Sequence, residues 1–85
     1  MISFPRLESW NAITKVATIA ATVDKQRILC RVPLKVLHDK YGSTEENPLH
    51  CVKRHREAIQ EAARILIENN EYEKDSSVLI SLANL

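Results

Sequence analysis

Two spacings of hydrophobic residues alternate along the chain, and their order predicts the fold. Apolar residues occupy every second position in residues 17–23 and again in 27–32, as in strands with one buried face. They recur every three or four positions in residues 34–41 and 48–69, as in helices that bury one side. A last alternating run covers residues 77–82. This order, β-β-α-α-β, predicts an α+β fold with two helices packed on one face of a small antiparallel sheet.

Turn and cap residues separate these segments. Asp24-Lys25 predicts a two-residue hairpin turn. Lys is a poorer second residue than Gly in such a turn, which leaves a longer turn as the alternative. Pro33 suits the first position of the first helix because its missing N–H would have no partner there. Gly42 suits the C-terminal cap of the same helix.

The N-terminal segment and the second helix complete the predicted architecture. Residues 2–4 alternate before Pro5, a pattern that allows a short strand at the edge of the sheet. Trp10 is expected to be the largest single contributor to the core. A helix over 48–69 would be about 33 Å long and would overhang a six-residue strand of about 20 Å. These elements fit one domain over residues 1–85.

Composition limits the functions open to the chain. Its 85 residues carry 12 Lys and Arg against 11 Asp and Glu, a net charge of +1. That balance is far from the strongly basic surface of a dedicated nucleic-acid-binding protein. No apolar stretch approaches the roughly 20 residues of a membrane-spanning helix, and the first residues lack the pattern of a signal peptide. Two cysteines without paired spacing indicate reduced core thiols, and we predict a cytoplasmic protein.

Metal and cysteine chemistry are the first candidates for an active site. Cys51 and His55 lie four residues apart on one helical face and could give zinc two ligands. The chain has no C-x-x-C or H-E-x-x-H pairing, however. Cys30 or Cys51 beside a histidine could form a nucleophilic pair, but Cys30 lies on the predicted buried face, where a thiol is inert. We therefore predict no catalytic residue, no bound metal and no cofactor, and a protein that is not an enzyme.

Basic residues provide the third candidate. Arg56 falls within the apolar stripe of the second helix, where a guanidinium needs a partner. The favoured interpretation is structural: Arg56 would bind a carboxylate or backbone carbonyls near the N-terminal segment. The alternative is a site for an anion or a partner protein at His55 and Arg56, with Arg27 and Arg31 as further contacts on the open sheet face.

Two kinds of macromolecular partner remain. Ile65 on the long helix, or three apolar residues of the outer sheet face, could form a homodimer contact or bind another protein. Those three are Ala20, Leu29 and Leu79. The basic run 53–56 could instead bind nucleic acid, although the outer face offers no aromatic ring for base stacking and glutamates follow within one turn of the helix.

Short motifs are spread over nearly the whole chain: I-x-F-P at 2–5, Trp10, A-x-V-D at 21–24, R-I-L-C at 27–30, Y-G at 41–42 and H-R at 55–56. Together they resemble a family of small uncharacterised bacterial proteins, domain-of-unknown-function family 1488. The resemblance implies an α+β domain with two helices and no assigned activity.

We interpret the chain as a small cytoplasmic, non-enzymatic binding or regulatory module that associates with itself or with another protein. The absence of a convergent base, nucleophile and oxyanion-binding set in the sequence favours this interpretation. The alternative is a nucleic-acid accessory protein that uses residues 53–56. A membrane partner is not expected.

The fold should persist without metal or disulfide, because its predicted core rests on aliphatic side chains such as Ile19, Ile59 and Ile80. We expect a chelator and a reductant together to leave the midpoint of thermal unfolding nearly unchanged. A fall of more than about 10 °C would exceed the effect of losing ~1 kcal/mol in a domain of this size. Such a fall would contradict the prediction and favour a structural metal.

Overall fold

The computed structural model describes residues 2–85, which form one mixed sheet with helices on one face. The strands are β1 (Ile2–Ser3), β2 (Glu8–Asn11), β3 (Val16–Val23), β4 (Gln26–Pro33) and β5 (Val78–Leu79). The helices are α1 (Leu34–Tyr41), α2 (Pro48–Arg54) and α3 (Arg56–Glu68), followed after β5 by a 3₁₀ turn at Leu82–Asn84. The predicted α+β class is confirmed. Met1, where the predicted domain begins, lies outside the described residues.

The hairpin of β3 and β4 is the centre of the sheet, and its turn is the two-residue form. Val23 pairs with Gln26. Between them both turn residues have positive φ, 48° at Asp24 and 69° at Lys25. A turn with this left-handed geometry matches the right-handed twist of the flanking strands. The shorter of the two predicted turns is therefore the one that forms, with Lys in a conformation that usually favours Gly.

Two strands share the other edge of β3. β1 pairs antiparallel with the C-terminal end of β3, and β2 pairs antiparallel with its N-terminal end. The predicted N-terminal edge strand is thus confirmed, but β2 was not predicted. Its inner face carries Glu8 and Trp10, so the alternation of polar and apolar residues that marks a strand does not appear there. Trp10 packs against the core only partly buried, and the largest fully buried side chains are instead Leu37, Ile59 and Ile80.

The C-terminal strand departs from the prediction in length and in direction. β5 has two residues where 77–82 were expected, and it runs parallel to β4, so the sheet is not purely antiparallel. Parallel neighbouring strands need a crossover connection, and the helices between β4 and β5 supply one. The expected ends of the strand form turns instead: the Ser77 hydroxyl and amide donate to Asp75, and Ser81 caps the 3₁₀ turn through Asn84.

Helix α1 forms over the predicted residues, with one difference at its start. Pro33 is the last residue of β4 and the N-cap of α1, with an extended ψ of 150°, rather than the first helical residue. Gly42 ends the helix as predicted. Its φ is +72°, and its amide donates to the His38 carbonyl oxygen at 2.8 Å. Only glycine adopts this left-handed geometry without strain from a Cβ atom.

The predicted helix over 48–69 is two helices that meet at His55, where ψ is 27° instead of the roughly −42° of an α-helix. The protein therefore has α2 and α3 where one long helix was expected, and three α-helices where the family resemblance implied two. α3 has 13 residues and is about 20 Å long, so it fits over the eight-residue strands of about 26 Å. The break removes the overhang that a straight helix would have had.

The core lies between the inner face of the sheet and the helices. It includes Ala17, Ile19 and Ala21 of β3, Ile28, Cys30 and Val32 of β4, and Val52, Ile59, Ala63 and Leu66 of α2 and α3. The outer face of the sheet carries no helix within residues 2–85. None of the helices in the same range is long and apolar enough to cross a membrane.

Replacing Gly42 by Ala should lower the free energy of unfolding by about 1–2 kcal/mol, measured by chemical denaturation. The cost is conformational, because no heavy atom lies within 4 Å of the added Cβ position while φ stays at +72°. Gly42→Asn is the control, since Asn tolerates the left-handed region and should cost less. Equal losses for Ala and Asn would contradict this explanation.

Candidate functional site

The junction between α2 and α3 positions two of the predicted site residues. The His55 amide donates to the Cys51 carbonyl oxygen at 3.0 Å, and the His55 carbonyl oxygen accepts from the Ile59 amide at 3.1 Å. Backbone hydrogen bonding thus continues through the bend. The His55 imidazole stacks on the Tyr41 ring, with centroids 3.7 Å apart and planes 5° from parallel. The stack joins the end of α1 to the junction.

Arg56 forms an ion pair with Glu8 of β2. Glu8 faces the helices because it pairs with Ile19, a residue of the inner face. The Glu8 side chain is only 9% exposed and the Arg56 side chain 25%. Glu8 Oε1 has no hydrogen-bond partner elsewhere among residues 2–85, so Arg56 supplies its neutralising charge. A carboxylate or backbone carbonyls near the N-terminal segment were the partners predicted for Arg56, and the structure shows a carboxylate, that of Glu8.

Two polar grooves lie on either side of the junction. The first, which we call the α1–α2 groove, has a volume of about 570 Å³, and its charged and ring-bearing lining residues are Lys40, Tyr41, His50, Arg54 and His55. The second, the Arg6 groove, has a volume of about 690 Å³ and is lined by Arg6, Lys53, Arg54, His55, Arg56 and Glu57, with Ala58. Arg54 and His55 line both grooves and therefore lie between them.

The basic residues of the grooves differ in how much of their charge is neutralised. Lys40, Lys53 and Arg54 form no ion pair within residues 2–85, whereas Arg56 is paired with Glu8. The available positive charge therefore lies on Lys40 and Arg54 in the α1–α2 groove. Lys40 and His50 were not predicted as site residues. His50 lies one turn before Arg54 on α2, a spacing visible in the sequence, whereas the loop between α1 and α2 brings Lys40 to the same groove.

Neither cysteine environment resembles that of an activated nucleophile. Cys30 and Cys51 are both free and buried. Burial raises the pKa of the Cys30 thiol to about 12, and its Sγ contacts the Ile28 carbonyl oxygen at 3.7 Å. Cys51 lines the α1–α2 groove. Burial, and secondarily the charge of Cys51, raise the pKa of the Tyr41 phenol. The described part of the chain contains no group of three or more metal-ligating side chains.

The outer sheet face carries two exposed leucines between arginines. Leu29 is 48% exposed and Leu79 41%. Ala20 pairs with Leu29 across the hairpin and therefore lies on the outer face as predicted, but it is only 5% exposed and offers little surface to a partner. Arg27 and Arg31 lie on the same face, and Arg31 Nη2 is 3.3 Å from Asp75 Oδ2.

Ile65 lies on α3, on the helical side of the molecule, and is 45% exposed. Its neighbour Arg64 is paired with Glu61 and, at 2.7 Å, with Glu68. The predicted interface residues therefore do not form one surface: Leu29 and Leu79 belong to the sheet face, and Ile65 is a single apolar residue among charged ones.

Within residues 2–85 the fold is that of a small α+β protein whose helices cover one face of a five-stranded sheet. The sequence profile of a family of proteins of unknown function, DUF1488, matches residues 2–80, and the chain belongs to that family. The family predicted from the short motifs is thereby confirmed.

A crystal structure supports the same fold. A DUF1488-family protein of unknown function from Shewanella loihica PV-4, solved at 1.60 Å resolution, superposes with a TM-score of 0.87 at 22% sequence identity. The similarity covers 94% of this chain and 91% of that one. No curated protein matches the chain.

Arg56→Ala should lower the free energy of unfolding by about 1–3 kcal/mol, because it leaves the buried Glu8 carboxylate without its counter-charge. Arg54→Ala is the matched control: Arg54 is exposed and unpaired within residues 2–85, and its loss should stay within about 0.5 kcal/mol. Adding Glu8→Gln to Arg56→Ala should recover part of the stability, since Gln carries no charge to neutralise. Equal, small effects of the two arginine variants in denaturant melts would disprove the structural role.

Proposed function

We propose that the protein is a non-enzymatic binding module that associates with a second copy of itself through the outer sheet face. The observation that carries the proposal is the one-sided arrangement of the fold, which leaves Leu29 and Leu79 about half exposed on a face without helices. Burying such side chains is favourable by about 25 cal/mol per Å² of apolar area. The two free, buried cysteines fit a reducing compartment, the cytoplasm.

The charges on the outer face favour a copy of the same chain as the partner. Arg27 and Arg31 lie two residues on either side of Leu29, each about 7 Å away along β4. A two-fold axis between the two facing sheets, perpendicular to the strands at the level of Leu29, would place each Leu29 over the Leu29 of the other chain. The same axis would place each Arg27 over the Arg31–Asp75 pair of the other chain. Asp75 would then neutralise one arginine from each chain.

Asp75 is suited to that role. Hydrogen bonds from the Ser77 hydroxyl and amide, with a smaller contribution from the charge of Arg31, lower the pKa of the Asp75 carboxyl. It is therefore ionised at neutral pH and is 60% exposed. Arg27 has no ion pair within residues 2–85 and supplies the opposite charge.

The area of the face fits a weak dimer. Only β3 and β4 have eight residues, a length of about 26 Å, and the shorter strands β1, β2 and β5 widen the face over part of that length. Two such faces would bury less than about 1,000 Å² in total, the size of a weak or transient protein–protein interface. Ile65 is a weaker candidate for the centre of an interface, because it lies next to Arg64 and its ion pairs with Glu61 and Glu68.

Direct binding of nucleic acid through residues 53–56 is less well supported. Arg56 is engaged by Glu8, and Glu57 lines the Arg6 groove beside the basic residues. Within the described residues the outer sheet face presents no aromatic ring on which bases could stack.

Light scattering at tens of micromolar protein should show a dimer of the wild type. Leu29→Glu should convert it to a monomer with an unchanged far-UV circular dichroism spectrum, because it places a charge in the apolar centre of the interface. Ile65→Glu is the matched control, of nearly equal exposure but on α3, and should remain dimeric. A monomeric wild type would refute the proposal. A dimer that Ile65→Glu alone dissociates would place the interface on α3 instead.

A further inference from the structure

We propose that the α1–α2 groove binds a small phosphate-bearing ligand, through Lys40, His50 and Arg54. All three line the groove, and no Asp or Glu is among its lining residues. Neither Lys40 nor Arg54 is neutralised by an ion pair within residues 2–85. A concave site lined by two unpaired cationic side chains and by no carboxylate favours an anion over a cation or a neutral ligand.

The remaining lining residues add hydrogen-bonding groups suited to phosphate oxygens. Ser43, Thr44 and Asn47, which have polar side chains, are also among the lining residues. Asn47 is the N-cap of α2, yet its side chain makes no capping hydrogen bond, so its amide is available to a ligand. Phosphate is the anion that combines a high charge with several strong acceptor oxygens, and arginine matches its geometry with two parallel donors. The volume of about 570 Å³ lies within the range of small-molecule sites.

The groove is held open by contacts that do not need a ligand. One wall is the Tyr41–His55 stack, with centroids 3.7 Å apart. The loop that follows is fixed at Gly42, whose amide binds the His38 carbonyl oxygen, and at Ser43, whose amide binds the Leu37 carbonyl oxygen at 3.3 Å. A site formed in advance loses less entropy when its ligand binds.

Three acidic residues lie near the groove without lining it. Glu45, in the loop between α1 and α2, is paired with Lys15 at 2.5 Å. Asp39 Oδ1 lies 3.3 Å from His38 Nδ1. Glu46 forms no ion pair within residues 2–85, and like the other two it is not among the lining residues.

The proposal does not depend on the dimer. The groove is formed by the helical layer, whereas Leu29 and Leu79 lie on the outer face of the sheet. Leu29→Glu should therefore bind phosphate compounds as the wild type does, and the two proposals can fail separately.

Isothermal titration calorimetry at low salt would test the site with inorganic phosphate, a nucleoside 5′-monophosphate and a single-stranded oligonucleotide as separate ligands. We expect binding of at least one of the two small compounds. Arg54→Ala should weaken it about tenfold or more, the effect of losing one charge-assisted hydrogen bond. Lys35→Ala is the control: Lys35 is an exposed lysine of α1 that does not line the groove, and its loss should change the affinity less than twofold.

Alkylation of Cys51 gives an independent readout, because Cys51 lines the groove while Cys30, with a thiol pKa of about 12, should stay unreactive. A bound phosphate compound should slow the labelling of Cys51 by iodoacetamide. Three results would overturn the proposal: no binding or protection by either small compound, equal losses from Lys35→Ala and Arg54→Ala, or binding of the oligonucleotide alone. The last result would favour the nucleic-acid accessory function.

Discussion

The ion pair between Glu8 and Arg56 is the interaction on which the arrangement of the helices over the sheet depends. It joins the edge strand β2 to the first residue of α3, with the carboxylate almost fully buried. Leaving the Glu8 carboxylate unpaired would cost about 1–3 kcal/mol, which favours an arrangement that keeps the two elements together. With Arg56 directed to β2, the preceding residues take different directions: His55 stacks on Tyr41 of α1, and Arg54 lines both grooves. Three consecutive residues therefore have different roles: Arg56 forms the ion pair, His55 forms the ring stack and Arg54 lines the grooves.

Chain length imposes the second constraint. Eighty-five residues supply helices for one face of the sheet, and a chain of this size buries only about 60–65% of the surface that its unfolded form exposes. The inner face collects the aliphatic side chains. The outer face keeps Leu29 between Arg27 and Arg31, with Leu79 of β5 beside Arg31. The second copy that we propose would cover these leucines. That proposal is independent of any chemistry in the grooves.

Local patterns predicted the parts of the fold that local interactions decide. The β3–β4 hairpin and α1 follow from alternation, a turn and a glycine cap, all within a few residues. β2 and the break at His55 depend on partners distant in sequence. Glu8 is an inner-face residue because β2 pairs with β3, and its charge is neutralised by Arg56 of α3. The same distinction between local and distant interactions applies to the candidate site. Arg56 was identified because an arginine within an apolar stripe needs a partner, whereas the α1–α2 groove arises from the packing of two helices and has no signature in either helix alone.

Net charge describes this protein poorly, and the reason is the distribution of its ion pairs. The total of +1 is far from the strongly basic surface of a dedicated nucleic-acid-binding protein. Several carboxylates are, however, neutralised away from the helix junction: Glu61 and Glu68 by Arg64, Asp75 by Arg31 and Glu45 by Lys15. Lys40 and Arg54 keep their charge at the junction, where no carboxylate lines the α1–α2 groove. A nearly neutral chain can therefore have a locally basic groove. The electrostatic potential at the groove depends mainly on nearby unpaired charges, because salt screens exposed charges that lie more than about 10 Å away.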